Sequence, residues 1–134
     1  MRVLIDTNVL FSALLFPSGV VGKAVTRALS SKAVEAFVCD YSIEELITIW
    51  MRKKLDPASL HMFLEILKQG ASIVKVPTKT VAGEEQIRDP KDVPILRVAL
   101  AHKMDFVLTG DKDFHQLPFE KPKGISPREF FDLV

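Results

Sequence analysis

The sequence predicts an α/β fold in which a central, mostly parallel sheet of four to five strands is covered by helices. Three observations lead to this prediction: short apolar runs without polar alternation, longer segments with helical spacing between them, and the regular succession of the two. The chain has 134 residues, of which 48% are hydrophobic. This length suits one domain, residues 1–134, with a single well-buried core.

Four short apolar runs predict strands that are buried on both faces. They are rich in β-branched or aromatic residues and show little polar alternation, as strands of a covered parallel sheet do. The runs are residues 3–5, 36–38, 72–76 and 106–108, and residues 124–125 are a candidate for a fifth, short edge strand.

Helical spacing of apolar residues marks the segments between these runs. The predicted helices are residues 20–30, 42–54, 57–68 and 92–102, with a last short helix after Ser126-Pro127. Ser42 is predicted to cap the second of them, because Glu45 three residues later completes a capping-box pattern. The alternation of strand and helix favours parallel pairing of the strands.

Composition and charge exclude several classes of protein. The net charge of +1 gives no overall basic field, so nucleic acid would have to bind to a local patch. Cys39 is the only cysteine, which excludes an internal disulfide and suits a reducing compartment. Asp6 and Asn8 interrupt the opening apolar segment, and no apolar run approaches the ~18–20 residues of a membrane span. We therefore expect a soluble, cytoplasmic protein without a membrane partner.

Acidic residues from four separate parts of the chain are predicted to meet at one edge of the sheet. In such folds, ligands bind outside the carboxyl ends of the strands. The acidic residues near these ends are Asp6 after the first strand, Glu44 and Glu45 after the second, Asp89 and Asp92 before the last long helix, and Asp111 and Asp113 after the fourth strand.

Most of these residues have a simple structural explanation when they are taken singly. Acidic residues in the first turn of a helix cap free amides and complement the helix dipole, and those near Gly110 suit a turn. Asp6 is different, because it stands inside the apolar run VLIDTNVLF, where an uncompensated charge is costly. A structural and a functional interpretation therefore both remain open for the other acids.

Convergence of the acids at one edge favours a metal site. Two carboxylates ~4 Å apart repel each other by about 4 kcal/mol at an effective dielectric near 20, and a divalent cation removes this repulsion. Ligation by oxygen alone favours Mg²⁺ or Mn²⁺ over zinc. The three histidines, His61, His102 and His115, show no zinc-ligand spacing, and we expect His115 to be a surface residue.

The segments LIDTNVLFSALL, SIEEL and DPKDVPILRVALAHKMDFVLTGDKDF together resemble the PIN domain family. These are metal-dependent ribonucleases that include the VapC-like toxins of toxin–antitoxin pairs. The resemblance extends from Arg2 to about Leu117 in the same order and spacing. It implies a three-layer α/β/α sandwich, an RNA substrate, an antitoxin partner and a homodimer.

The resemblance also implies roles for individual residues. The four family acids correspond to Asp6, Glu45, Asp92 and Asp111, and Asp113 is an alternative to Asp111 as the fourth. Asp6, Asp92 and Asp111 are expected to ligate one or two Mg²⁺ or Mn²⁺ ions, and Glu45 to hold a second ion or position the attacking water. Asn8 and Thr109 occupy positions where the family has supporting polar residues.

Basic residues close to the acids are candidates for binding RNA phosphates. Lys91 and Lys112 alternate with the acids along the chain, and Arg88 and Lys23 are further candidates. The run Arg52 to Lys54 ends the helix that begins near Glu45, so we expect it to point away from the site.

Other classes of protein fit the sequence less well. A haloacid-dehalogenase-type phosphatase needs a second Asp where this chain has Asn8, and a receiver domain needs an Asp after the third strand, where VKVPTK offers none. The main alternative is a PIN-like module that binds RNA or protein without cleavage. Leu60, Phe63, Leu64 and Leu67 on the middle helix suit either the core or a dimer interface.

Overall fold

A computed structural model describes residues 1–134. It contains one sheet of five strands, all of them parallel, which confirms the predicted sheet and its fifth strand. The strands are β1 (Arg2–Ile5), β2 (Glu35–Cys39), β3 (Ala71–Val74), β4 (Phe106–Leu108) and β5 (Lys123–Ile125). Their order in the sheet is β3-β2-β1-β4-β5, so that β1 is central and β5 is an edge strand.

Seven helices connect and flank these strands. They are α1 (Thr7–Leu15), α2 (Val20–Ser30), α3 (Asp40–Arg52), α4 (Pro57–Gly70), α5 (Val93–Ala101), α6 (Lys112–His115) and α7 (Pro127–Leu133). Two 3₁₀ turns, Glu84–Gln86 and Pro90–Asp92, lie in the long connection between β3 and α5. The segment before α5 is therefore irregular backbone held by two turns.

The two faces of the sheet are covered by different helices. Val3 and Ile5 of β1 belong to an apolar cluster with residues of α1, α2, α3, α4 and α7, whereas Leu4 belongs to a second cluster with α5 and α6. Alternate residues of a strand point to opposite faces, so β1 contributes to both clusters. The result is the expected three-layer α/β/α sandwich.

Two helices were not predicted from the sequence, and most element boundaries differ from the prediction by one or two residues. The first helix, α1, is apolar on several sides because it lies between the sheet and its neighbouring helices, and this hides its periodicity. The second, α6, has only four residues. Helix α4 continues to Gly70, so β3 begins one residue earlier than predicted and ends at Val74.

The predicted cap at Ser42 is wrong. Helix α3 begins at Asp40 directly after β2, and Ser42 lies inside its first turn. Its side chain is buried and accepts a hydrogen bond from the Thr7 hydroxyl at 2.9 Å. Ser42 therefore ties the start of α3 to the start of α1.

Helix α4 packs against the core through the four residues that the sequence assigned either to the core or to a dimer interface. Leu60 and Leu67 are buried in the cluster of α1 to α4, and Phe63 and Leu64 pack partly against it. The exposed apolar side chains of this helix are instead Met62 and Ile66.

No single helix has both the length and the apolar character needed to cross a membrane. Only the bent pair of α1 and α2 reaches that length and composition, with an angle of 111° between its halves.

The strand order places a crevice at the carboxyl ends of β1 and β4. The chain passes outward from β1 to β3 and then returns to β4 on the other side of β1. Ile5 pairs with Leu108, so Asp6 and Thr109 leave adjacent strands at the same level. Ligand sites of open α/β sheets lie at such reversals of strand order.

Candidate metal centre

Asp6 stands at the centre of this crevice and is 4% exposed. It caps α1: its Oδ1 accepts a hydrogen bond from the Thr7 backbone amide at 2.7 Å. Its Oδ2 accepts a hydrogen bond from the Thr109 hydroxyl at 2.8 Å. Asp6 thus has a structural role as a cap, which the sequence pattern did not indicate, and its oxygens are held in a fixed position.

Thr109 connects two acids of the site. While its hydroxyl donates to Asp6, the same oxygen accepts a hydrogen bond from the Asp111 backbone amide at 3.0 Å. Asp111 in turn caps α6, because its Oδ1 accepts from the Asp113 amide at 2.9 Å. One buried hydroxyl therefore fixes the turn after β4 relative to the end of β1.

Asp92 comes to the crevice from the segment that directly precedes α5. It ends the second 3₁₀ turn and occupies the cap position of α5, but its side chain makes no capping bond. Its Oδ2 is buried and has no hydrogen-bond partner. Asp89 caps the preceding turn instead, by accepting from the Lys91 amide at 3.0 Å.

Carboxylate oxygens of Asp92, Asp111 and Asp113 all lie within 4.8 Å of one another. Asp92 and Asp111 were both predicted as ligands, and Asp113 was the stated alternative to Asp111. The structure brings both residues of the turn after β4 to the same place. We call these three residues the acid cluster.

Electrostatics show that the acids of the crevice affect one another. Burial, followed by the hydrogen bond and charge of Asp111 and the charge of Asp6, raises the pKa of Asp92 to about 7. Burial also raises the pKa of Asp6, and the charges of Asp111 and Glu45 add to this effect, whereas hydrogen bonds from Thr109 and Thr7 oppose it. These raised pKa values are the expected result of several carboxylates in a poorly solvated site.

Glu45 lies beside the acid cluster but is not part of it. It is half-buried in the second turn of α3, and its Oε2 accepts a hydrogen bond from the Tyr41 hydroxyl at 3.4 Å. The same hydroxyl is 3.3 Å from the Lys91 carbonyl oxygen. Burial and the charge of Glu45 raise the pKa of Tyr41, and the charge of Asp92 adds to this effect.

Tyr41 is the residue of the site that the sequence analysis missed. It joins α3 to the turn before α5, across a sequence separation of 50 residues. Nothing local in the sequence distinguishes it from a tyrosine in a core. The only sequence feature that could have indicated it is its position four residues before Glu45, which places both side chains on the same face of a helix.

The remaining predicted residues lie around the rim. Asn8 is exposed in the first turn of α1, next to the buried Thr7. Lys91 and Lys112 are exposed beside Asp92 and Asp113. His115 has an exposed side chain, as expected, with its Nε2 2.9 Å from the Thr109 carbonyl oxygen.

Arg52 does not point away from the site, contrary to the expectation for the end of α3. It lines a cavity of about 420 Å³ together with Glu45 and Lys91. Lys53 and Lys54, by contrast, do not line that cavity. The reason is geometric, because Arg52 lies seven residues, or nearly two turns, after Glu45 on the same face of the helix.

The donor set fits a hard divalent cation. All the charged groups are carboxylates, and the buried oxygen of Asp92 lacks any partner that would otherwise stabilise it. Oxygen ligands of this kind suit Mg²⁺ or Mn²⁺, which prefer carboxylates to sulfur or paired imidazoles. Asp92, Asp111 and Asp113 are the residues whose oxygens lie close enough to hold such an ion. Asp6, predicted as a fourth ligand, lies outside this group, and both of its carboxylate oxygens accept hydrogen bonds.

Comparison with known structures supports the fold. The chain is similar to a chain of VapBC2 from Rickettsia felis, in the crystal structure of VapBC2 bound to a DNA fragment from its promoter, with a TM-score of 0.72 and 13% identity. That match covers 94% of this chain and 98% of the other. VapC20 from Mycobacterium tuberculosis, a sarcin-ricin loop cleaving toxin, matches with a TM-score of 0.63 and 16% identity over 90% and 98% of the two chains.

Sequence comparison identifies the family. No curated protein matches the sequence significantly. The model of the PIN domain family, however, matches residues 2–113, which is most of the chain and includes every acid of the crevice. This protein therefore belongs to the PIN domain family.

Proposed function

We propose that this protein is an endoribonuclease that hydrolyses RNA phosphodiester bonds with the help of Mg²⁺ or Mn²⁺, one ion or two. The observation that carries the proposal is the buried, unpartnered Oδ2 of Asp92 within the acid cluster. A carboxylate oxygen in this position is costly unless a cation or proton compensates it. Membership of the PIN domain family and the similarity to VapC20, a sarcin-ricin loop cleaving toxin, support the same reaction.

The residues of the chain have separate roles in this proposal. Asp92, Asp111 and Asp113 hold the metal, and Thr109 keeps Asp6 and the turn of Asp111 in register. A bound divalent cation supplies Lewis acidity, which lowers the pKa of a water and neutralises charge on the phosphate. Glu45, oriented by the Tyr41 hydroxyl, holds a second ion or positions the attacking water.

Substrate binding depends on the rim. Lys91 and Lys112 are exposed, adjacent in sequence to Asp92 and to Asp111 and Asp113, and would contact phosphates that flank the scissile bond. Asn8, exposed at the start of α1, is a further polar contact at the rim. Because the overall charge is only +1, we expect binding to depend on these few cations and to weaken with salt.

The partners of the protein form part of the proposal. We propose that it is the toxin of a toxin–antitoxin pair in the cytoplasm, with an antitoxin protein as its partner. The similarity to chains named VapBC2 and VapC20 supports this role, and the free thiol of Cys39 suits a reducing compartment. We also propose a homodimer, which the exposed Met62 and Ile66 beside an apolar groove support.

A cleavage assay tests the activity. Wild type, Asp92→Asn and Asp6→Asn are incubated with single-stranded and structured RNAs in Mn²⁺ or Mg²⁺, and Asp132→Asn on the exposed face of α7 serves as the control. We expect the cleavage activity of both site variants to fall by more than ~10–100-fold, which is the loss that follows removal of an outer-shell partner of a metal site. The control should cleave like wild type.

Thermal unfolding tests the metal centre separately. Mn²⁺ should raise the melting temperature of the wild type, since a ligand that binds only the folded state stabilises it by about 2.7 kcal/mol at 100 times its dissociation constant. An unchanged melting temperature at millimolar metal would contradict a metal centre. Stabilisation by metal without cleavage of any RNA would favour the alternative function, a PIN-like module that binds RNA or protein without cutting.

A further inference from the structure

A polar cavity adjoins the acid cluster on the side of α6. It has a volume of about 450 Å³, and its lining consists of Gln86, Arg88, Lys112, Asp113 and Gln116. This volume lies within the ~300–1,000 Å³ of small-molecule sites. No apolar side chain lines it, so its occupant must be polar over most of its surface.

The charges of this cavity favour an anion. Arg88 and Lys112 contribute two positive charges against the single carboxylate of Asp113. The Arg88 guanidinium lies 3.4 Å from Asp113, but its side chain is 86% exposed. Such exposed pairs contribute little to stability, so Arg88 can turn toward a phosphate at small cost. Arginine binds phosphate with two parallel hydrogen bonds, and lysine binds it as a point charge.

The two glutamines add a different kind of contact. Gln86 and Gln116 have exposed side chains on the wall of the cavity. Each amide offers two donor hydrogens and an acceptor oxygen, which is the pattern that base edges require. The lining contains no aromatic ring, so a base in this cavity would be recognised at its edge and not by stacking.

We propose that this cavity, the Arg88–Lys112 cavity, binds the nucleotide next to the scissile phosphate of a single RNA strand. Arg88 and Lys112 bind the phosphate of that nucleotide, and Gln86 and Gln116 hydrogen-bond the edge of its base. The inference rests on the proposed ribonuclease function and adds a place where its base preference is set. Asp113 connects the two sites, because it lines the cavity and belongs to the acid cluster.

Salt dependence of binding tests the phosphate contacts. A labelled single-stranded RNA of about 12 nucleotides, within the ~4–16 nucleotides of single-strand sites, is titrated with protein in Ca²⁺, and electrophoresis verifies that it stays intact. The plot of log affinity against log salt should become shallower by about 0.7 in Arg88→Gln/Lys112→Gln, because both side chains bind one phosphate and each neutralised phosphate on a single strand contributes about 0.7. The control Lys32→Gln/Lys123→Gln removes the same charge near the amino ends of the strands and should leave the slope unchanged.

Base preference tests the glutamines. Affinities of the wild type are compared for strands rich in U, C or A, beside Gln86→Leu/Gln116→Leu and the control Gln69→Leu on α4. We expect the leucine variant to reduce the advantage of the preferred strand severalfold while its salt slope stays that of the wild type. An unselective wild type, or equal selectivity in this variant, would overturn the assignment of the base edge.

The outcome for the cavity can be separated from the outcome for the nuclease. A slope in Arg88→Gln/Lys112→Gln that equals the slope of the lysine control overturns the phosphate site. Stabilisation by Mn²⁺ without RNA reports on the acid cluster alone. If Mn²⁺ stabilises the wild type but the salt slope of Arg88→Gln/Lys112→Gln is unchanged, only the cavity is refuted. If Mn²⁺ does not raise the melting temperature of the wild type, the proposed function is refuted.

Discussion

At the scale of single residues, Asp92 has the most unusual environment in the crevice. Its Oδ2 is buried without a partner, and its pKa is raised to about 7 from 3.8 by burial and by the neighbouring acids. The folded protein therefore binds more protons than the unfolded chain between these pH values. By linkage, the free energy of unfolding decreases as the pH rises from about 4 to about 7.

Asp92→Asn should raise the melting temperature of the metal-free protein by a few degrees at pH 8. At pH 5 the gain should be small, because the protonated Asp92 of the wild type is already neutral, like Asn. Thermal unfolding in EDTA at both pH values measures the difference, with Asp132→Asn as the control for an exposed acid. An equal gain at the two pH values would show that repulsion around a charged Asp92 is not the cause.

The sequence was informative about single residues where the chemistry is local. Asp6 stood out because a charge interrupts an apolar run, and Asp92, Asp111 and Asp113 lie at predicted strand or helix ends. Tyr41 could not be found in this way. Its partners, Glu45 and the Lys91 carbonyl, come together only after α3 and the segment before α5 have packed.

At the scale of elements, a largely buried ion pair ties the connection between β3 and α5 to α5. The Arg97 guanidinium on α5 donates to both oxygens of Glu84 at 2.8 Å and to the Pro77 carbonyl at 3.0 Å. Glu84 also accepts from the Val81 amide at 2.6 Å. Because residues 75–92 have no regular structure apart from two short turns, this pair is one of the contacts that hold the segment that carries Asp92, together with the buried Ile87 and the contact of the Tyr41 hydroxyl with the Lys91 carbonyl.

Glu84→Gln should lower the melting temperature by several degrees and weaken the stabilisation by Mn²⁺. It leaves the largely buried Arg97 without its counter-charge, whereas Glu65→Gln removes only an exposed pair with Lys68 and should change little. The hydrogen bonds from Arg97 lower the pKa of Glu84 to about 2, from 4.5. The contribution of the pair is therefore complete above about pH 4.5 and is lost as the pH falls toward 2.

Thermal unfolding at pH 7 and at pH 3 measures this effect. The difference in melting temperature between wild type and Glu84→Gln should be smaller at pH 3. Hydrogen exchange should increase within residues 75–92 of the variant. If Glu84→Gln behaves like Glu65→Gln in both measurements, the pair does not hold the segment.

Elements were predictable where the apolar pattern has a clear period. The strands and the helices α2, α4 and α5 follow from their periodicity, with shifts of a few residues at their ends. Helix α1 was missed because it contacts neighbours on several sides, so its apolar residues do not mark a single face. Its true signal was Asp6, which caps it.

At the scale of the whole molecule, the strand order decides where the acids meet. Alternation of strand and helix predicted a parallel sheet and a site at its carboxyl edge, but not the order β3-β2-β1-β4-β5. That order depends on long-range packing of two apolar clusters on opposite faces of β1. It sets Asp6 beside Thr109, and so creates the crevice between the ends of β1 and β4.

The surface that would form the proposed homodimer is also a feature of the whole molecule. Two exposed apolar side chains of α4, Met62 and Ile66, line a groove of about 280 Å³ between α1, α2 and α4. Met62 is 68% exposed and Ile66 is 52% exposed, whereas Leu60 and Leu67 of the same helix are buried in the core. Contiguous exposed apolar surface is characteristic of interaction sites.

Met62→Glu/Ile66→Glu should therefore weaken the dimer by a factor of ten or more, a loss of at least about 1.4 kcal/mol of binding free energy. Its melting temperature, extrapolated to low protein concentration, should match that of the wild type, because both side chains lie outside the core. Sedimentation equilibrium over a range of concentrations measures the dissociation constant, and Lys68→Glu on the same helix, which changes the net charge by the same two units, controls for added negative charge. A wild type that is monomeric at the highest concentration would refute the dimer, and an equal loss in the control would mean that charge, and not the apolar face, governs association.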